Sequence, residues 1–243
     1  MRVEIESYAT RRSVALALAA GTMLALAGVA GAVPRPAPTV KLQADISGTA
    51  RIIDGDTIDV GDVRIRLEGI DAPEKGQRCA RRWFGTWGCG EMAIKQLNRM
   101  LAGRTVSCEA RGHDKYGRVL GVCSVDGDDI NARLVRDGLA WAFVKYSQRY
   151  VREEAEARAS KRGVFATVNQ PPWDYRARAW STAEQRAPEG CAIKGNVSSK
   201  GRIYHMPWSP WYQRVTVESG RGERWFCSES EAIAAGWRPV QGS

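Results

Sequence analysis

Six cysteines, at positions 79, 89, 108, 123, 191 and 227, constrain this 243-residue chain more than any other feature. They follow an N-terminal stretch with the order of an export signal. Arg11 and Arg12 precede an uncharged run from Val14 to Val33 that passes through Ala30-Gly31-Ala32, so cleavage is expected after Ala32. An uncleaved anchor is the alternative, because about twenty uncharged residues suffice to span a bilayer. An even number of cysteines in an exported chain implies disulfides, although sequence alone leaves many pairings of six open. Local pattern narrows them. Cys108 and Cys123 flank VSCEARGHDKYGRVLGVCSV, which reads as strand, turn, strand. As cross-strand partners they centre the turn between Lys115 and Tyr116, inside Asp114-Lys115-Tyr116-Gly117, where Gly117 tolerates positive φ. Cys79 with Cys89 then closes a short loop, and Cys191 with Cys227 staples the C-terminal segment.

The order of patterns along the chain predicts α+β architecture. Residues 33–46 form a Pro-rich tether (VPRPAPTV at its start). A domain is expected over 47–166, a linker over 167–188 and a small C-terminal domain over 189–243. Within the first domain, IDV-GD-VRIRL reads as a hairpin turning at Gly61-Asp62. EMAIKQLNRMLAG carries Ile94, Leu97 and Leu101 at helical spacing and stops at Gly103. DDINARLVRDG reads as a helix capped by Asp128 or Asp129, and VREEAEARASKRG as another with Glu154 and Arg158 paired one turn apart. Strands in a meander with helices between and after them suggest a small antiparallel barrel. The linker contains Pro171-Pro172 and scattered charge, with helix expected only around Asp174 to Trp180.

Charge and residue type bound the chemistry. The formal net charge is +9; Arg2, Arg11 and Arg12 against Glu4 and Glu6 account for one unit, leaving +8 after cleavage. Such a balance suits a polyanion, and suits solubility or adhesion to an anionic envelope equally well. With two histidines in the chain, His113 and His205, a histidine-based triad or a multi-histidine zinc site is disfavoured. A zinc site from Cys191, His205 and Cys227 competes with a disulfide and is the lesser reading. Three clusters remain: Asp54, Asp56 and Thr57 in DGDT; Arg66, Asp71 and Glu74 in RLEGIDAPE; and Asp114 to Arg118 in DKYGR. Unless a turn intervenes, Asp54 and Asp56 leave the same face of a strand and repel, so a positive partner is required. Carboxylates suit Ca²⁺, and guanidinium forks suit a phosphate.

DGDT, the RLxGIDxPE pattern, DKYGR and the following NARLVRDGLA stand in an order and spacing that resemble the staphylococcal nuclease-like family over residues 47–166. The resemblance implies an OB-fold, a five-stranded antiparallel barrel with three helices, and a calcium-dependent phosphodiesterase acting on DNA and RNA. By position, Asp56, Asp71 and the main-chain oxygen of Ala72 are the implied calcium ligands, with Asp54 behind them orienting waters or ligands. Glu74 is the implied general base, and Arg66 and Arg118 the phosphate-binding arginines. Lys115, Tyr116 and Tyr146 are implied substrate contacts, with Val144 where the family places a second tyrosine. The C-terminal segment resembles a small domain attached to secreted bacterial members. No stable protein partner is implied, and the membrane enters only through an uncleaved signal; the location expected is periplasmic or extracellular. Two other readings stay open: a catalytically silent nucleic-acid or envelope binding module, and an envelope polysaccharide factor on the same fold. Lys75, Arg78, Arg81 and Arg82 with Trp83 and Trp87 form either a nucleic-acid rim or a solvated loop.

Overall fold

Strand β1 (Asp45–Asp54) alternates exposed and half-buried residues along most of its length, turning Ile46, Ala50 and Ile52 inward. A computed structural model describes residues 45–240. The export segment at 1–32 and residues 33–44 of the Pro-rich stretch lie outside the described residues. Asp45 and Ile46, expected at the end of that stretch, already belong to β1.

β1 pairs antiparallel with β2 (Thr57–Val60), and β2 turns through Gly61-Asp62 into β3 (Val63–Leu67). The short β4 (Ile70–Asp71) follows, then the β5 (Arg78–Ala80) and β6 (Thr86–Gly88) hairpin closed by the Cys79–Cys89 disulfide. Helix α1 (Cys89–Leu101) packs Ala93, Leu97 and Leu101 on the barrel core. β7 (Thr105–His113) and β8 (Val119–Val125) form the long hairpin, with Cys108 opposite Cys123 and bonded to it. Beyond Ala110 the register slips by one residue at Arg111, so the turn centres on Tyr116 rather than between Lys115 and Tyr116. The bulge absorbs the extra residue without disturbing the cysteine pair.

Five strands close into a barrel because β3 pairs with β8 as well as with β2. The barrel is the expected five-stranded one; its strands otherwise pair antiparallel, and this closing pair is parallel. β9 (Asp128–Asp129) folds back antiparallel on the end of β8 and leads into α2 (Ile130–Arg136), whose first turn is capped by the Asp129 carboxylate accepting from Ala132 N at 2.9 Å. The fully buried Asn131 donates to the carbonyls of Glu68 and Gly121 and accepts from Cys123 N, fixing the helix to the barrel seam. β10 (Trp141–Ala142) pairs with β4, placing Trp141 opposite Asp71. Helix α3 (Val151–Ala159) holds the Glu154–Arg158 pair at 2.6 Å.

The stretch expected as a linker contains a 13-residue helix, α4 (Pro172–Glu184), with proline in its first turn. Trp173, Arg176, Trp180 and Ala183 recur at helical spacing and are all engaged. Trp173 stacks on Phe143 of the barrel domain at 5.5 Å, while Trp180 and Ala183 pack into C-terminal clusters. The C-terminal part is a four-stranded sheet in the order β13 (Arg224–Phe226), β11 (Ile193–Ser198), β12 (Gly201–His205), β14 (Arg238–Pro239). With helix α5 (Glu229–Ala234) it encloses Ile193, Tyr204, Phe226, Ala232 and Trp237, and Cys191 is bonded to Cys227. That disulfide removes both cysteines from the zinc alternative. Among the described residues no helix is long and apolar enough to cross a membrane.

Candidate active site

A turn at Gly55-Asp56 separates the two aspartates of the DGDT stretch, so they do not share a strand face. Gly55 is required there by contact: a Cβ would lie 2.9 Å from that of Ala72 and 3.1 Å from that of Ala93. This close approach sets the Asp56 carboxylate on the next loop, where Oδ2 accepts from Ala72 N at 2.9 Å and pairs with Arg66. Thr57 Oγ1 donates to the other oxygen at 3.1 Å. Asp71 is completely buried on β4, and its Oδ1 accepts from Arg66 Nη2 at 2.8 Å.

Glu74 is seated by its own backbone. Its N–H donates to Gln77 Oε1 at 3.1 Å, its carbonyl accepts from Gln77 N at 2.8 Å, and α1 begins against it. Gly90 makes that approach possible, because a Cβ there would fall 1.9 Å from the Glu74 carbonyl oxygen. Burial pushes the Glu74 carboxyl above the ordinary carboxylate range, with Arg176 pulling the other way. Asp54 is raised further, first by burial and then by the charge of Glu74, although Gly55 N donates to it at 2.7 Å. For Arg66, burial lowers the proton affinity and Asp71 opposes that, while Arg118 and Arg176 repel it.

Arg118 reaches the same field from the β7–β8 turn. Its Nε donates to Asp114 Oδ2 at 2.6 Å, and burial of Asp114 is outweighed by this arginine, which leaves the carboxyl below its usual range. Arg118 thus has a carboxylate partner of its own, and its charge also acts on Arg66. Lys115 and Arg118 both lie over the Tyr116 ring. Tyr146, largely exposed, packs edge-on against Phe143, and Val144 is exposed beside it. Of the arginine-rich loop, Trp83 and Phe84 are the most exposed aromatics, at 81% and 87%.

The residue missing from the sequence reading is Arg176. Its Nη2 donates to Asp71 Oδ2 at 2.7 Å, and its Nη1 donates to Asp71 Oδ1 at 3.1 Å and to Glu74 Oε1 at 2.7 Å. The signal lay in the stripe Trp173, Arg176, Trp180, Ala183, where an arginine interrupts an apolar helix face. The site therefore gathers Asp54, Asp56, Asp71 and Glu74 against Arg66 and Arg176, with Arg118 within electrostatic reach. Four oxygen-bearing acids in one buried field, two of them, Asp54 and Glu74, raised in part by a neighbouring carboxylate, suit a hard divalent cation in donor chemistry. With Arg176 seated, however, both Asp71 oxygens are engaged, and among the described residues no three acidic side chains converge as ligands.

A family model described as staphylococcal nuclease homologue matches residues 64–167, and a second, ArfC, matches residues 173–239. The first match begins at Arg64, so the DGDT turn lies upstream of it; the second contains Arg176. An "Uncharacterized endonuclease" of Escherichia coli is 41% identical over 146 residues, covering 56% of this chain and 89% of the relative. "Succinoglycan biosynthesis protein ExoI" of Rhizobium meliloti is 32% identical over 158 residues, covering 64% and 74%. "Micrococcal nuclease" of Shigella flexneri is 34% identical over 157 residues, covering 57% and 84%.

Proposed function

Since this chain belongs to the staphylococcal nuclease homologue family, we propose that it is an exported, calcium-dependent phosphodiesterase that hydrolyses DNA and RNA. The observation that carries the reading is the convergence of Arg66, Asp71 and Glu74, from β3, β4 and the loop after it, in one buried field. A water molecule is a poor nucleophile until a base accepts its proton, and Glu74 has that role. Its burial raises its proton affinity above that of an ordinary carboxylate, the direction a base needs, with Arg176 opposing. Arg66 and Arg118 bind the phosphate and stabilise the charge that grows on it in the transition state. Asp56, Asp71 and the Ala72 carbonyl would hold calcium, which supplies when bound the positive charge that polarises a phosphoryl oxygen. Asp54 orients the groups around it. Lys115 and Tyr116 contact a terminal phosphate from the β7–β8 turn, and Tyr146 flanks the nucleotide with its ring. Three disulfides and the sequence of the leader support export to an oxidising compartment, periplasmic or extracellular.

The test is digestion of single- and double-stranded DNA, RNA and an anionic polysaccharide, each with calcium or with chelator. Cleavage of both nucleic acids in calcium alone is expected. Unchanged cleavage in chelator would remove calcium from the mechanism. Tight oligonucleotide binding without turnover would favour the silent binding module, and polysaccharide breakdown alone would favour the envelope reading.

A further inference from the structure

The Arg176 guanidinium occupies the carboxylates that the proposed chemistry needs free. Both of its terminal nitrogens are used on Asp71, and one also reaches Glu74, so it bridges the implied metal ligand and the implied base. Such a two-pronged grip on a fully buried carboxylate is the strong form of an arginine–carboxylate pair. We propose that Arg176 is a built-in competitor for the divalent cation, delivered by the C-terminal extension, and that it sets the cation concentration at which the site loads. The proposal rests on the calcium reading above.

Three observations support it. First, the helix that carries Arg176 is fastened on both sides of the site. Gln77 Nε2 donates to the Gln170 carbonyl at 2.9 Å, Ala80 N donates to Asn169 Oδ1 at 2.7 Å, and Trp173 stacks on Phe143. Trp180 and Ala183 anchor its other end in the C-terminal clusters. The guanidinium is thus placed by the fold. Second, the side chain retains 24% exposure, against 13% for Arg66 and none for Asp71, so it can leave by rotation while its helix stays docked. Third, once it departs, Arg66 is the arginine among the described residues that stays paired with Asp56 and Asp71, with the Asp54 and Glu74 carboxyls in the same field. One guanidinium in place of two leaves the field less positive, which a divalent ion offsets. A ligand binds more weakly, by that fraction, to a protein whose competent state is only a fraction of the population, so a seated Arg176 weakens apparent cation affinity.

The experiment is calorimetric titration of Ca²⁺ into the whole, chelator-stripped chain and into Arg176→Met, which keeps a long apolar stem without donors. Affinity is expected to tighten about tenfold or more in the variant, in proportion to the seated fraction removed. In parallel thermal unfolding, Arg176→Met is expected to be less stable than the parent in chelator and to gain more from added calcium. A merely structural arginine would produce the first change without the second. Arg176→Lys, which keeps a charge but lacks the fork, is expected to fall between the two and serves if the methionine variant does not fold. Asp71→Asn should abolish the calorimetric signal. Equal or weaker affinity in Arg176→Met overturns the competition while leaving the calcium reading in place. Absence of calcium binding in both proteins overturns both.

Discussion

The barrel and the C-terminal sheet both bury charge, and they satisfy it differently. In the barrel, Asp71 and Glu74 meet guanidinium groups from other elements, one five residues away and one more than a hundred. Around the C-terminal sheet, the Lys194 ammonium donates to the carbonyls of Tyr212 and Val215 at 3.0 and 2.7 Å and lies over the rings of Tyr212 and Trp225. Burial lowers its proton affinity. Main-chain oxygens and ring faces hold a cation in one place with nothing to exchange. Carboxylates and arginines form a set whose members can be traded for an ion or a phosphate, and this difference separates a site from a scaffold.

That contrast can be broken at four points. The largest effect is expected for Asp71→Ala, which leaves Arg66 and Arg176 without their shared partner. Removing one member of a buried pair typically costs about 3–5 kcal/mol, and cleavage should be lost as well. Denaturant unfolding that finds no loss would show that the arginines do not depend on Asp71. Next is Glu74→Gln, which keeps size but removes the proton acceptor. Single-turnover cleavage of an oligonucleotide in calcium should fall roughly 10²-fold or more, with affinity in chelator unchanged. Parent-rate cleavage would show that Glu74 is not the base.

Lys194→Met is expected to cost about 1 kcal/mol in urea unfolding, the scale of ordinary hydrogen bonds exchanged for apolar packing. A cost equal to that of Asp71→Ala would erase the distinction drawn above. The smallest effect concerns His205, where burial first and Lys194 second lower the proton affinity. Its Nε2 lies 2.9 Å from Asn196 Oδ1, while Nδ1 is buried with no hydrogen-bond partner among the described residues. A folded-state pKa below the unfolded one means that the unfolded chain takes up the proton first. The neutral form's contribution is therefore present above the ordinary histidine range near 6.5 and declines as pH falls through it toward the lower folded value. Melting curves between pH 7 and pH 5 should show this slope in the parent and a flatter one in His205→Gln. Identical slopes would exclude the histidine as their source.

What the sequence reveals follows the same division. Gly61-Asp62, the Cys108–Cys123 register and the Asp129 cap are local signals, readable because each depends on residues a few positions apart. The motif order brought Arg66, Asp71 and Glu74 into one list before their geometry was known. The parallel β3–β8 closure and the docking of α4 depend on contacts distant in sequence, whereas the bulge at Arg111 lies inside a hairpin. Arg176 was hidden for a further reason: Pro171-Pro172 reads as a break, and an arginine inside an apolar stripe argues against burial unless its acidic partners are already known.

The separation of 105 residues between Asp71 and Arg176 has a consequence in time. A chain grows from its N-terminus at roughly 5–20 residues per second, so about 5–20 s pass between the making of the aspartate and of the arginine that covers it. Over that interval Asp71 and Glu74 exist without the arginine that pairs with both of them in the finished protein. The last helix to reach the barrel thus acts as a clock on the site, and a chain halted before residue 176 would carry carboxylates that the finished protein keeps engaged.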